Sequence, residues 1–130
     1  MEETATLLMI SECLGDALTL EEDLWEQEVG MTVEVIVPAD FPQALLTVMP
    51  DIVVFDVRRS SQMLHYAWRY LNCDEHGTGP VVIVVTDIPR LVGWLHMPEM
   101  WSLVTAEGLV RTVRWLQQHV LENQSMNLLW

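Results

Sequence analysis

Five short apolar runs alternate with longer amphipathic stretches along this chain. The third and fourth runs consist almost entirely of β-branched residues, which is typical of central strands covered on both faces. The second run is interrupted by Glu34, which favours a strand nearer the edge of a sheet. The runs predict five strands, over residues 6–10, 32–37, 52–55, 81–85 and 101–104.

Helical spacing fills the intervals between these strands. Apolar residues recur there at steps of three and four, which predicts helices that bury one face. Gly30 is the predicted C-cap of the first helix, Asp40 and Pro42 suit the start of the second, and Thr105 is the predicted N-cap of the fifth. The five apolar stripes are Ala17, Leu20 and Leu24; Phe41, Ala44, Leu45 and Val48; Met63, Ala67, Tyr70 and Leu71; Leu91, Val92 and Leu95; and Leu109, Val113, Leu116 and Val120.

The strand-then-helix order repeats five times and predicts an α/β fold. Each crossover is long enough to hold a helix and is expected to be right-handed, so the strands should form a doubly wound, five-stranded parallel sheet with helices on both faces. A single domain over residues 1–130 is expected, with a core at about residues 5–121 and a tail at 122–130. In such sheets the functional crevice lies beyond the carboxyl ends of the strands.

Composition narrows the functional classes. The chain has 130 residues and is 51% hydrophobic, which argues against disorder. Its net charge of −13 argues against direct nucleic-acid binding and attachment to anionic membranes. All six cationic side chains are arginines, and lysine is absent. Cys13 and Cys73 do not resemble a disulfide framework, no apolar run approaches the ~20 residues of a membrane span, and the N-terminus is acidic. We therefore expect a cytoplasmic protein with reduced thiols.

Polar side chains follow three of the predicted strands. Glu12 follows the first strand, Asp56 ends the third, and Thr86 and Asp87 follow the fourth. On the predicted topology these strand ends converge, so the sequence predicts three carboxylates and a hydroxyl in one crevice.

The strings around Asp56 and Thr86 carry a family resemblance. PDIVVFDVR at residues 50–58 and PVVIVVT at 80–86 resemble strands three and four of response-regulator receiver domains, in order and at the family's intervals. The resemblance implies a CheY-like, flavodoxin-like fold, with Asp56 as the phosphoacceptor of a histidine kinase and Thr86 as the hydroxyl that contacts the phosphoryl group. Trp101 resembles the aromatic residue that follows the movement of this hydroxyl.

The resemblance also implies a magnesium site, but with parts missing. Glu12 and Asp56, with the backbone of Arg58, would form only a weak Mg²⁺ site, because Ser11 stands where receivers carry a second acid. The lysine that receivers carry after strand five is missing. Asp87 stands where receivers usually have a small residue, and it would repel an incoming phosphoryl group if it faces the pocket. Arg58 is a candidate for the missing cation, although arginines at this place accompany the lysine in ordinary receivers.

Three functional hypotheses follow. The first is an atypical receiver or pseudo-receiver in two-component signal transduction that acts through protein contacts, with weakened or absent phosphorylation at Asp56. The second is a working phosphoacceptor switch. A small flavodoxin-like enzyme or cofactor-binding domain is more distant, because no phosphate-cradling loop follows strand one. We expect a protein that is not an enzyme.

Three tryptophans mark an expected partner face. Trp94, Trp101 and Trp115 fall on the fourth helix, fifth strand and fifth helix, a face that receivers use to bind partners. The resemblance implies a histidine kinase or an output protein as partner, or a homodimer through this face. The alternative is that all three tryptophans pack against the edges of the core.

Overall fold

The structure, a computed structural model, describes residues 5–26, 30–58, 80–87 and 102–118. Within these ranges the chain forms five strands, three α-helices and one 3-10 turn at Pro38–Asp40. The strands are β1 (Thr6–Ser11), β2 (Thr32–Ile36), β3 (Ile52–Asp56), β4 (Val81–Val85) and β5 (Ser102–Val104). The helices are α1 (Leu14–Glu26), α2 (Phe41–Val48) and α3 (Ala106–Leu116), the last being the fifth helical segment that the sequence predicts.

The strands form one parallel sheet in the order β2-β1-β3-β4-β5. The chain runs outward from β1 to β2, then crosses back to β3 and continues to β5, so the direction of winding changes between β1 and β3. The predicted doubly wound sheet is therefore confirmed. β2 lies at the edge, which explains why Glu34 is tolerated there with an exposed side chain.

Two apolar clusters cover the two faces of the sheet. On one face α1 and α3 pack over β1 and β3, and all three members of the predicted α1 stripe are buried. On the other face α2 packs through Phe41, whose ring meets Phe55 of β3 edge-to-face at 5.2 Å between centroids. Helices on both faces leave β1 and β3 buried along most of their length, so their carboxyl ends are held firmly in position.

The predicted helix starts agree with the structure. The side chain of Thr105 accepts a hydrogen bond from the backbone N–H of Gly108 at 3.2 Å and so caps α3. Asp40 occupies the N-cap position of α2 with Pro42 in the first turn, although its carboxylate makes no capping hydrogen bond. α2 ends at Val48, and the left-handed backbone of its C-cap Met49 (φ 50°) stops the helix just before Pro50.

Several predictions fall outside the described residues. These are the third and fourth helical segments, Cys73, Trp94, Trp101, Val120 and the tail at 122–130, and the same holds for residues 27–29, which separate α1 from its predicted cap at Gly30. Among the helices that the structure describes, none has the length and apolar character that crossing a bilayer requires.

Candidate functional site

The sheet register brings three strand ends to one rim. Ser11 at the end of β1 pairs with Asp56 at the end of β3, and Asp56 pairs with Val85 at the end of β4. Glu12 and Thr86 are the next residues after β1 and β4. The structure thus places the backbone of Glu12, Asp56 and Thr86 at the same edge of the parallel sheet.

Asp56 lies at the centre of this rim with only 2% of its surface exposed. Its Oδ1 accepts hydrogen bonds from the backbone N–H and the Nε–H of Arg58, at 3.2 and 2.8 Å. Its Oδ2 accepts from Nη2 of Arg58 at 2.9 Å and lies 3.1 Å from the hydroxyl of Ser11. The guanidinium therefore binds both carboxylate oxygens in the bidentate geometry that gives the strongest and most directional charge-assisted pairs.

The charges around Arg58 stabilise its cationic form. The pKa of Arg58 is raised above its ordinary value, chiefly by the hydrogen bonds to Asp56, with partial burial acting in the opposite direction. The negative charges of Asp56, Asp16 and Asp87 raise this pKa further. Arg58 thus carries a permanent positive charge inside an acidic crevice.

Ser11 is a second polar contact of Asp56. Its hydroxyl accepts a hydrogen bond from the backbone N–H of Cys13 at 3.1 Å and lies 3.0 Å from the carbonyl oxygen of Cys13. A hydroxyl has one proton, which it shares between this carbonyl and the Asp56 carboxylate. The sequence analysis considered Ser11 only as the residue that replaces an acid of receivers. Its contact with Asp56 could have been predicted from the alignment of β1 with β3, in which the two residues are neighbours.

The other candidate residues differ in exposure. Thr86 is buried at the end of β4, whereas Glu12 and Asp87 are exposed. Asp87 is nevertheless close enough to Arg58 for its charge to act on the guanidinium, which supports the sequence-based concern that it adds negative charge at the crevice.

The described part of the chain does not form a metal cage. It contains no group of three or more histidine, cysteine, aspartate or glutamate side chains arranged to hold a metal ion. Mg²⁺ requires near-octahedral oxygen ligands, and both oxygens of Asp56 are already hydrogen-bonded to Arg58. The arrangement around Asp56 therefore does not fit the Mg²⁺ site that the family resemblance implies.

Large exposed apolar side chains lie on all three described helices, including Leu46 on α2. Trp115 on α3 is 54% exposed, and it is the one member of the predicted partner face inside the described ranges. On α1, Leu14, Leu18 and Trp25 are at least half exposed and share one side of the helix, at steps of four and seven. Sequence reasoning missed this α1 stripe, although its helical spacing was visible.

A groove of about 740 Å³ lies between α1 and α3, away from the rim. Asp23 and Glu26 line its α1 side, and Arg111, Arg114 and Trp115 lie on its α3 side. None of Ser11, Asp56 or Thr86 contributes to it. This groove is therefore separate from the candidate site.

Comparisons with solved structures identify the fold. The chain is similar to the CheY-like receiver domain of a response regulator from Methylobacillus flagellatus, with a TM-score of 0.59 and 14% identity over 85% of this chain and 99% of that one. It is also similar to the response regulator PhyR from Brucella abortus (TM-score 0.66, 19% identity, 97% of this chain and 51% of PhyR) and to the receiver domain of NarL from Mycobacterium tuberculosis (0.61, 14%, 91% and 99%). No family model matches the sequence, and no curated protein is similar to it. The chain has the CheY-like receiver fold.

Asp56→Asn is expected to destabilise the domain. Neutralising one acid in a cluster of unpaired acids usually stabilises a protein, whereas here it leaves Arg58 without its ionic partner. Because Arg58 remains partly exposed, we expect a loss of about 1.5–3 kcal/mol in the free energy of unfolding, measured by urea denaturation. Asp40→Asn, at an exposed carboxylate without a capping hydrogen bond, is the matched control and should change stability by less than about 0.5 kcal/mol. An Asp56→Asn variant at least as stable as the wild type would show that the ion pair does not support the fold.

Proposed function

We propose that this chain is an atypical receiver domain of a two-component phosphorelay, which signals through protein contacts with weakened or absent phosphorylation at Asp56. The observation that carries the proposal is the buried carboxylate of Asp56, which lies at the phosphoacceptor end of a receiver sheet with both oxygens bound to one arginine. The fold supports a signalling role. The pairing of the Asp56 carboxylate with Arg58 supports an atypical receiver.

Phosphoryl transfer makes demands that this rim meets poorly. An attacking carboxylate oxygen must be free to approach phosphorus, and cations must neutralise the charge of the transition state. At Asp56 the attacking oxygen must first give up a charge-assisted hydrogen bond, which is worth about 1.5–3 kcal/mol. That cost alone corresponds to about one to two decades in rate.

The remaining charges act in the same direction. The chain has no lysine to contact a phosphoryl group after β5, and Ser11 supplies a hydroxyl where receivers carry an acid. Asp87 and Asp16 add negative charge beside Arg58 and would repel an incoming phosphate. Magnesium binding at Glu12 and Asp56 is expected to be weak.

A working phosphoacceptor switch is the second candidate. It is favoured by the placement of Asp56 and Thr86 at the ends of adjacent strands, where a histidine kinase could phosphorylate Asp56 and where Thr86 and Trp101 would relay the change. A flavodoxin-like enzyme or cofactor-binding domain is less well supported, because β1 connects to α1 through only Glu12 and Cys13, too short a link to cradle a phosphate.

The proposed partners are proteins. We place the domain in the cytoplasm, where a histidine kinase or an output protein would bind the face marked by Trp94, Trp101 and Trp115. The half-exposed Trp115 supports this assignment on α3, since tryptophans are frequent anchors of protein interfaces. A homodimer through the same face would have to overcome the repulsion between two chains of net charge −13.

Phosphorylation can be tested by intact mass. Incubation with Mg²⁺ and acetyl phosphate should leave the wild type largely unmodified, because the attacking oxygen is engaged by Arg58. A conventional receiver treated in parallel provides the positive control, and Asp56→Asn provides the site control. Stoichiometric phosphorylation of the wild type that disappears in Asp56→Asn would contradict the atypical assignment and support the working switch.

The proposed homodimer can be tested by sedimentation velocity at increasing salt. We expect a dimer whose association becomes tighter as salt screens the like charges. The substitution Trp115→Ala should dissociate this dimer. Trp25→Ala removes an equally large exposed tryptophan from α1 and should leave the dimer intact. A strictly monomeric wild type in high salt, or equal effects of the two substitutions, would contradict a dimer through the α3 face.

A further inference from the structure

We infer that Arg58 is the built-in counter-ion of this crevice, and that it occupies the place at Asp56 that a divalent metal would need. The inference rests on the proposed function, because it names what holds Asp56 in its unphosphorylated form. It predicts that a divalent cation binds this rim only after Arg58 withdraws.

The hydrogen bonds of Asp56 leave no acceptor position for a metal. A carboxylate offers about four lone-pair positions on its two oxygens. Here Oδ1 accepts hydrogen bonds from the backbone N–H and the Nε–H of Arg58. Oδ2 accepts a hydrogen bond from Nη2 of Arg58 and contacts the hydroxyl of Ser11. An ion that binds either oxygen must therefore displace one of these donors.

The short tether favours the arginine over a free ion. Arg58 follows Asp56 by two residues, and its backbone N–H is itself bound to the carboxylate. The guanidinium is consequently held close to its partner at a high effective concentration, which a metal ion in solution has to outcompete. The Arg58 side chain is 18% exposed, so it is not sealed from solvent.

The surrounding charges show what Arg58 balances. The negative charges of Asp56, Asp16 and Asp87 all act on the guanidinium and raise the pKa of Arg58. The other arginines that the structure describes, Arg111 and Arg114, belong to α3 and line its groove with α1. Removing the charge of Arg58 would leave the carboxylate of Asp56 without its counter-ion and open to a cation from solution, in a chain whose overall charge already attracts cations.

The test compares Mg²⁺ binding by the wild type, Arg58→Gln and Arg58→Lys. Calorimetric titration gives the affinity, and thermal unfolding with MgCl₂ against NaCl of equal ionic strength separates binding from screening. Arg58→Gln should bind Mg²⁺ about 10- to 100-fold more tightly than the wild type, and its unfolding midpoint should fall without metal and recover with it. Arg58→Lys keeps the positive charge but loses the bidentate pairing of the guanidinium, so its Mg²⁺ affinity should lie between those of the wild type and Arg58→Gln.

Two controls assign the effect to this crevice. Arg111→Gln removes an exposed arginine from α3 and should bind Mg²⁺ as the wild type does. Arg58→Gln combined with Asp56→Asn should lose the gained affinity. If Arg58→Gln does not fold, the comparison of Arg58→Lys with the wild type decides, because its Mg²⁺ affinity must still exceed that of the wild type.

Equal Mg²⁺ affinity of the wild type and the folded Arg58 variants would overturn the inference. The measurement is independent of phosphorylation, because no phosphoryl donor is present. An increase in the intact mass of the wild type after incubation with acetyl phosphate would refute the proposed function. Equal Mg²⁺ affinity of the wild type and the Arg58 variants would refute only the role of Arg58.

Discussion

The ion pair between Asp56 and Arg58 is the interaction on which the character of this site depends. A carboxylate that is removed from water costs several kcal/mol unless a charge and hydrogen bonds replace its hydration. Asp56 is almost completely buried, and Arg58 supplies a positive charge and three of the four contacts to its oxygens. The pair makes the buried acid compatible with a folded domain without any bound ion. It also engages both carboxylate oxygens of Asp56 in hydrogen bonds to one guanidinium.

The sheet explains why the pair forms at this point. Parallel strands bring residues that are far apart in sequence to the same edge, and the register sets Ser11 directly beside Asp56. Apolar clusters on both faces hold β1 and β3 in place and so fix the positions of their carboxyl ends. The position of Asp56 is thus a consequence of the core, whereas most of its hydrogen bonds come from Arg58, two residues later in the chain.

The parts that sequence reasoning predicted are those that depend on local pattern. Runs of β-branched residues, the interruption at Glu34 and the hydroxyl of Thr105 each indicate their structural role without knowledge of distant contacts, and all three agree with the structure. The bidentate geometry of Arg58 was not predictable in this way, because many conformations of a long side chain are compatible with the same sequence. The exposed stripe of Leu14, Leu18 and Trp25 was missed for a related reason: apolar residues at helical spacing look alike whether they face the core or solvent.

The Nε–H group of Arg58 offers the most direct test of the ion pair, through ¹H–¹⁵N spectra of the arginine side chains in the wild type. Its resonance can be assigned by its loss in Arg58→Lys. A paired Arg58 should exchange its Nε–H with water far more slowly than the exposed Arg111, should be unaffected by Mg²⁺, and should lose this protection in Asp56→Asn. Exchange as fast as that of Arg111, or a shift of the resonance when Mg²⁺ is added to the wild type, would show that Asp56 is available to other ligands.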